Sequence, residues 1–143
     1  MSSHQYSTFY VADRLYGIDV TMVQEITKKM TITKVPLAPP FVYGLINLRG
    51  QIATAVGLRE LFILAKDENV QDQMNVVCKD EGMLLSLVID RIGDVIEVED
   101  KDFEPTPDTI NNSVGRFMSG VYKIPGQLLS IIDVKKIIEI LNK

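Results

Sequence analysis

A mainly β fold made of two related halves, each a small barrel ending in a short helix, is what the sequence predicts. Three observations carry that prediction: an internal repeat, runs of β-branched and aromatic residues separated by tight-turn residues, and one amphipathic helical pattern at the end of each half.

The repeat has two blocks. Ile18-x-Val20-x-x-Val23-x-Glu25-Ile26 recurs 69 residues later as Leu87-x-Ile89-x-x-Ile92-x-Asp94-Val95, and Pro36 falls on Pro105 at the same offset. Gly44-Leu45-Ile46-Asn47-Leu48-Arg49-Gly50-Gln51-Ile52 recurs 76 residues later as Gly120-Val121-Tyr122-Lys123-Ile124-Pro125-Gly126-Gln127-Leu128. The extra seven residues fall in 106–114, a Pro, Asp, Asn and Ser stretch that reads as a loop. The repeats span about 6–65 and 74–141, with a polar linker at 66–73.

Strands are predicted over 7–11, 15–20, 43–48 and 51–56 and at the equivalent places of the second half. Ala12-Asp13-Arg14 and Asp80-Glu81-Gly82 read as hairpin connections, Pro125-Gly126 as the centre of a type II turn, and Arg49-Gly50 as the matching tip. Leu58, Leu61, Phe62 and Ala65 have helical spacing, as do Val134, Ile137, Ile138 and Leu141. Asp133 stands at the N-cap of the C-terminal helix, where a carboxylate accepts from the free amides; Gly57 stands there in the first half. Short strands with tight turns favour closure, because closure removes exposed sheet edges.

Composition narrows the function. The 143-residue chain is 46% hydrophobic and 24% charged, enough apolar material for a core without a cofactor. A net charge of −4 disfavours nucleic acid, whose partners carry basic patches. The single cysteine, Cys78, lies in an apolar run and has no disulfide partner, which fits a reducing, cytoplasmic compartment. The first fifteen residues lack a secretory pattern, and the longest apolar run, 83–89, is too short to cross a bilayer, so no direct membrane insertion is expected.

Chemistry-bearing patterns are absent from the sequence. Catalysis by serine or cysteine needs a nearby base, and the only histidine is His4, in a segment expected to fray. One histidine and one cysteine do not make a zinc site. The run Glu97 to Asp102 lacks the spacing of a calcium loop and reads as a solvated strand end and turn. Gly44 to Gly50 and Gly120 to Gly126 are each followed by glutamine where a phosphate loop needs lysine. Asn111-Asn112-Ser113 matches a glycosylation acceptor only formally. The expectation is a protein without catalytic activity, cofactor or metal.

Tyr16-Gly17-Ile18-Asp19-Val20, Val23-Gln24-Glu25-Ile26, Val35-Pro36, Pro39 to Val42 and above all Asn47-Leu48-Arg49-Gly50 resemble the CheW-type chemotaxis coupling protein family, as do Leu87 to Ile92 and Leu129 to Val134. The resemblance covers nearly the whole chain, 1–143. It implies two five-stranded SH3-like barrels and an adaptor that couples the cytoplasmic tip of chemoreceptors to the regulatory domain of the chemotaxis histidine kinase. It implies recruitment to membrane receptor arrays through partners. Members of the family usually carry a proline and then an aspartate after the Arg-Gly, where this chain has Thr54 and Gly57, and the repeat makes Gly57 a lost acid.

The repeat also serves as an internal control, since positions alike in both halves answer to the fold. Gly44, Gly50, Gly120 and Gly126 are assigned to turns on this ground; Arg49, opposite Pro125, is not, and its planar fork suits carboxylates or backbone oxygens of a partner. Glu25 has an acidic counterpart in Asp94, so the repeat leans toward a structural reading of it, whereas the resemblance places it in the receptor-binding region. The expected receptor site is a Glu25–Arg49 pair beside an apolar groove of Val23, Ile26 and Leu48, which would take the apolar face of a helix, with the kinase on the second half. The alternative is a small β-barrel ligand-binding module without catalytic activity.

Overall fold

The computed structural model describes residues 3–64 and 73–142. Eleven strands and three helices follow one another as β1 (Ser3–Val11), β2 (Arg14–Asp19), β3 (Val23–Thr27), β4 (Val42–Leu48), β5 (Gln51–Gly57), α1 (Leu58–Leu61), β6 (Met74–Asp80), β7 (Met83–Ile89), β8 (Arg91–Glu99), β9 (Phe103–Glu104), α2 (Asn112–Gly115), β10 (Met118–Ile124), β11 (Gln127–Ile132) and α3 (Val134–Leu141) among the described residues. The predicted linker 66–73 lies outside the described residues except for Gln73, as does Ala65.

The strands form a six-stranded sheet, β8-β1-β2-β11-β10-β9, and a five-stranded sheet, β3-β6-β7-β5-β4. Neither sheet coincides with a sequence repeat. The β1–β2 hairpin of the first half pairs with β8 (antiparallel) and β11 (parallel) of the second, and β6–β7 pairs in the same senses with β3 and β5 of the first. Each half lends its opening hairpin to the other half's sheet, so neither repeat holds a complete sheet by itself. The resemblance implies two five-stranded closed barrels; instead one sheet has a sixth strand, the two-residue β9, and both strand orders are open.

The hairpin exchange follows from burial on both faces. Tyr6, Ser7, Thr8 and Phe9 of β1 are consecutively buried, which an ordinary one-sided strand does not show. Phe9, Tyr16, Leu85, Leu87 and Val76 belong to the main core between the sheets, which also takes Val134 and Ile137 of α3. The opposite face of the six-stranded sheet covers a smaller core of Tyr6, Leu15, Tyr122, Leu129 and Ile131, and that of the five-stranded sheet covers Ile46, Ala55 and Val88.

Three of the two-residue hairpins put both central residues at positive φ: Ala12 and Asp13, Arg49 and Gly50, Glu81 and Gly82. That conformation is the I′ form, whose twist suits the flanking strands. At the β10–β11 turn only Gly126 is positive, φ +80°, the type II arrangement the Pro-Gly pair demands. Arg49-Gly50 is therefore not the match of Pro125-Gly126, since proline cannot take the φ of +52° seen at Arg49.

Further expectations are corrected. Gly44 and Gly120 lie inside β4 and β10, at the irregularities in their pairing, and not in turns. A Cβ on Gly44 would stand 2.2 Å from the Thr33 carbonyl oxygen, which hydrogen-bonds Leu45 at 2.8 Å, so the glycine lets the returning chain lie against the strand. The first-half helix is a single turn. Ile63 adopts φ +58°, its amide and that of Leu64 bond back to Glu60 (3.2 Å) and Arg59 (2.8 Å), and this Schellman closure ends the helix at Leu61. His4 is paired in β1 and contacts Asp100 at 2.8 Å, where a fraying segment was expected. The predicted loop 106–114 contains the start of α2, whose N-cap Asn111 accepts from Ser113 at 3.0 Å.

Candidate functional site

The Asn47-Leu48-Arg49-Gly50 segment is a turn built to present one side chain. Asn47 Oδ1 accepts the Gly50 amide at 2.9 Å and holds the reversal; Leu48 is 4% exposed and anchors the strand end; Arg49 projects into solvent. Gly50 takes φ +88° without the Cβ penalty.

Arg49 donates through a terminal guanidinium nitrogen to Glu25 Oε2, so the tip of the β4–β5 hairpin meets the edge strand β3. The Arg49 side chain is 72% exposed and that of Glu25 22%, so the fork remains available to a partner while the carboxylate orients it.

The five predicted residues do not share one groove. A bulge at Gln24 sets Val23 opposite Cys78, Glu25 opposite Val77 and Ile26 opposite Val76. Cys78 and Val76 belong to the main core, so Val23 and Ile26 lie on that face of β3 and Glu25 lies on the other. Leu48 is buried and lines nothing open. The apolar feature left on the edge is Ile26, 41% exposed, beside the half-buried Val23.

Two side-chain pairs escaped the sequence reading. Asp90, at the corner where the chain passes from β7 to β8, accepts from Arg59 Nε (3.0 Å) and a terminal nitrogen (2.6 Å) and from the Ala12 amide (2.8 Å). The signal was a carboxylate directly after the apolar run 83–89, which requires a cation or amides at its buried end. Tyr43 donates to Glu60 Oε1 at 2.7 Å and lays its ring over the start of α1; burial first, then the Glu60 carboxylate, raises its phenol. A Cβ on Gly57 would come 2.3 Å from that ring, which explains why the helix start lacks an acid.

Among the described residues no group of three His, Cys, Asp or Glu side chains is placed to hold a metal ion. Burial pushes the Cys78 thiol up to about 12, the direction opposite to that of a reactive thiolate. What the geometry offers is a surface: an edge strand with an exposed isoleucine and a braced guanidinium.

The family model of the CheW-like domain matches residues 5–141. The chain belongs to the CheW-like domain family. It is 32% identical over 137 residues to the chemotaxis protein CheW of Treponema pallidum (strain Nichols), covering 93% of this chain and 81% of the relative. It is 28% identical over 135 residues to the chemotaxis protein CheW of Helicobacter pylori (strain ATCC 700392 / 26695), covering 94% and 81%. The crystal structure of the scaffolding protein TtCheW from Thermoanaerobacter tengcongensis superposes with a TM-score of 0.82 at 31% identity, over 92% of this chain and 89% of that one. No helix of the described CheW-like chain is long and apolar enough to cross a membrane.

Proposed function

We propose that this chain is a chemotaxis scaffold that joins the cytoplasmic tip of chemoreceptors to the regulatory domain of the chemotaxis histidine kinase, without catalysis of its own. Membership of a family whose relatives are named chemotaxis and scaffolding proteins supports the class of function. The observation that carries the receptor half of the reading is the Glu25–Arg49 contact at the β3 edge. An exposed ion pair contributes only about 0 to 1 kcal/mol, so a receptor helix laid along the β3 edge takes its apolar contact from Ile26 and Val23 on one side of the strand while Arg49, paired with Glu25 on the other, sets its register.

In this reading the whole chain acts as one unit in the cytoplasm, brought to receptor arrays by its partners, because the exchanged hairpins leave neither half a sheet of its own. We read each sheet as a partly closed SH3-like barrel. In the five-stranded sheet the contact between β3 and the β4–β5 tip, together with the Thr33–Leu45 bridge, draws its two edges toward each other.

The test is a titration of a receptor cytoplasmic fragment against Arg49→Glu and Val23→Asp variants that remain folded, followed by co-sedimentation of the kinase with receptor-containing membranes. Weakened receptor binding in both variants, with loss of kinase recruitment, is expected. Unchanged affinity in both removes the β3 edge as the receptor site.

A further inference from the structure

The connection from β3 to β4 departs from what the fold asks of it. Val35-Pro36-Leu37-Ala38 forms a turn closed by the Ala38 amide on the Val35 carbonyl at 3.3 Å, with proline at its second position and Leu37, φ +62°, at its third. A type II turn wants glycine or asparagine at that third place, because a Cβ there is strained. This chain places a leucine there that is 104% exposed, in contact with nothing that would offset the strain. A large aliphatic side chain held outward on a proline-stiffened turn has no folding rationale.

Leu37 stands at the rim of a cleft of about 440 Å³ that also takes Ile32, Val35, Pro39 and Tyr43 as apolar walls, with Lys34 as its charged group. Lys28, Lys29 and Lys34 are exposed, and none has a carboxylate partner among the described residues. From residue 26 to residue 59 the chain contains no Asp or Glu, although its net charge is −4. The equivalent segment of the second half, by contrast, reads Phe103-Glu104-Pro105-Thr106 where this one reads Lys34-Val35-Pro36-Leu37. The fold therefore accepts an acidic, polar version of the same connection, and the basic, apolar character of the first copy is free for another use.

We infer that this cleft docks an acidic, apolar peptide segment of a partner protein, with apolar side chains seated between Leu37, Val35 and Tyr43 and a carboxylate facing Lys34. Charge complementarity selects the occupant: an apolar wall alone would accept any hydrophobic segment, and a lining that carries the ammonium of Lys34 and no carboxylate among the described residues disfavours basic ones. The site is distinct from the proposed receptor edge. Val42, at the cleft, and Arg49 lie at opposite ends of β4, roughly 20 Å apart at the rise of an extended strand.

The experiment is fluorescence anisotropy of the full chain with a labelled peptide made only of leucine and glutamate, against the same peptide with lysine for glutamate. Leu37→Gly and Lys34→Glu are the variants. Leu37→Gly relieves the strained turn, so its melting temperature stays level or rises while its affinity for the acidic peptide falls by about tenfold or more, the loss of one well-packed anchor. Lys34→Glu produces a similar fall, and added salt weakens the wild-type complex. Absence of binding, equal binding of the lysine peptide, or wild-type affinity in Leu37→Gly overturns the proposal. So do two other results: sedimentation of the chain with phosphatidylglycerol vesicles in place of peptide binding, which assigns the face to a membrane, and self-association abolished by Leu37→Gly, which assigns it to a second copy.

Discussion

Asp90 holds Arg59 with both carboxylate oxygens, at 3.0 and 2.6 Å, and through the second of them also holds the Ala12 amide at 2.8 Å. The two side chains are 12% and 10% exposed. One carboxylate thus ties α1, beside the five-stranded sheet, to the β1–β2 hairpin of the six-stranded sheet. Asp90 itself lies where the chain crosses between the two. Removing the carboxylate breaks both bonds to Arg59 and takes the acceptor from the Ala12 amide, so Asp90→Ala destabilises the protein by about 3 kcal/mol or more. Arg59→Lys recovers only part of that, because a single ammonium does not reproduce the fork. Urea unfolding of the three proteins measures both; an Asp90→Ala loss below roughly 1 kcal/mol would show that the clamp holds little.

Gly57 yields a prediction of opposite signs in two backgrounds. Aspartate there supplies the side-chain cap that α1 lacks, a gain over glycine of about a few tenths of a kcal/mol in an open site. Its Cβ, however, would meet the Tyr43 ring at 2.3 Å, and overpacking of this kind costs about 1–3 kcal/mol. Gly57→Asp is therefore destabilising in the wild type and neutral or stabilising in a Tyr43→Ala background. A thermal-denaturation double-mutant cycle reads the sign change; stabilisation by Gly57→Asp alone would show that Tyr43 does not exclude the acid.

The β11 and α3 elements were legible because period and propensity agree there: Asp133 caps α3 by accepting from Lys135 at 3.0 Å, and Pro125-Gly126 forms its type II turn. The exchange of hairpins was not. Local patterns identify β1 and β6 as strands but not their partners, and the parallel contacts of β2 with β11 and of β7 with β5 join segments distant in sequence. The edge strand β3 was hidden for a different reason: no residue in it is fully buried, so it lacks the apolar run that marks a core strand. The repeat singled out Arg49 and the family resemblance drew in Glu25, although the repeat, with Asp94 opposite Glu25, leaned toward a structural role for that acid. The groove failed because a one-residue bulge decides which side chains share a face, and nothing local announces the bulge at Gln24.

Arg49 separates stability from binding. It occupies the first central position of an I′ turn at φ +52°, where asparagine followed by glycine is the preferred pair. Arg49→Asn relieves backbone strain of about 1 kcal/mol and removes an exposed ion pair of similar or smaller size. The melting temperature accordingly stays within a few degrees of wild type or rises. Binding to a receptor fragment weakens, because the guanidinium is gone while the fold is intact. A variant that binds normally with unchanged stability would make the arginine an ordinary solvated tip.

Alkaline pH offers a test of the core around Cys78. Burial raises the thiol from an ordinary value near 9 to about 12, so the folded chain keeps the proton over a range in which the unfolded chain releases it. The thiol's contribution to stability is fully present below pH 9 and is lost as pH rises from 9 toward 12, with a limiting slope of about 1.4 kcal/mol per pH unit. Tyr6, Tyr16 and Tyr43 are raised as well, first by desolvation, and act in the same direction above pH 10. Between pH 9 and 10, comparison with a variant that keeps the three tyrosines and lacks the thiol isolates Cys78. Urea unfolding of wild type and Cys78→Ala across that window should give a steeper loss of stability for the wild type. Parallel curves would mean that Cys78 ionises as readily in the folded chain as in the unfolded one, which a side chain with 0% exposure between β3 and β7 does not permit.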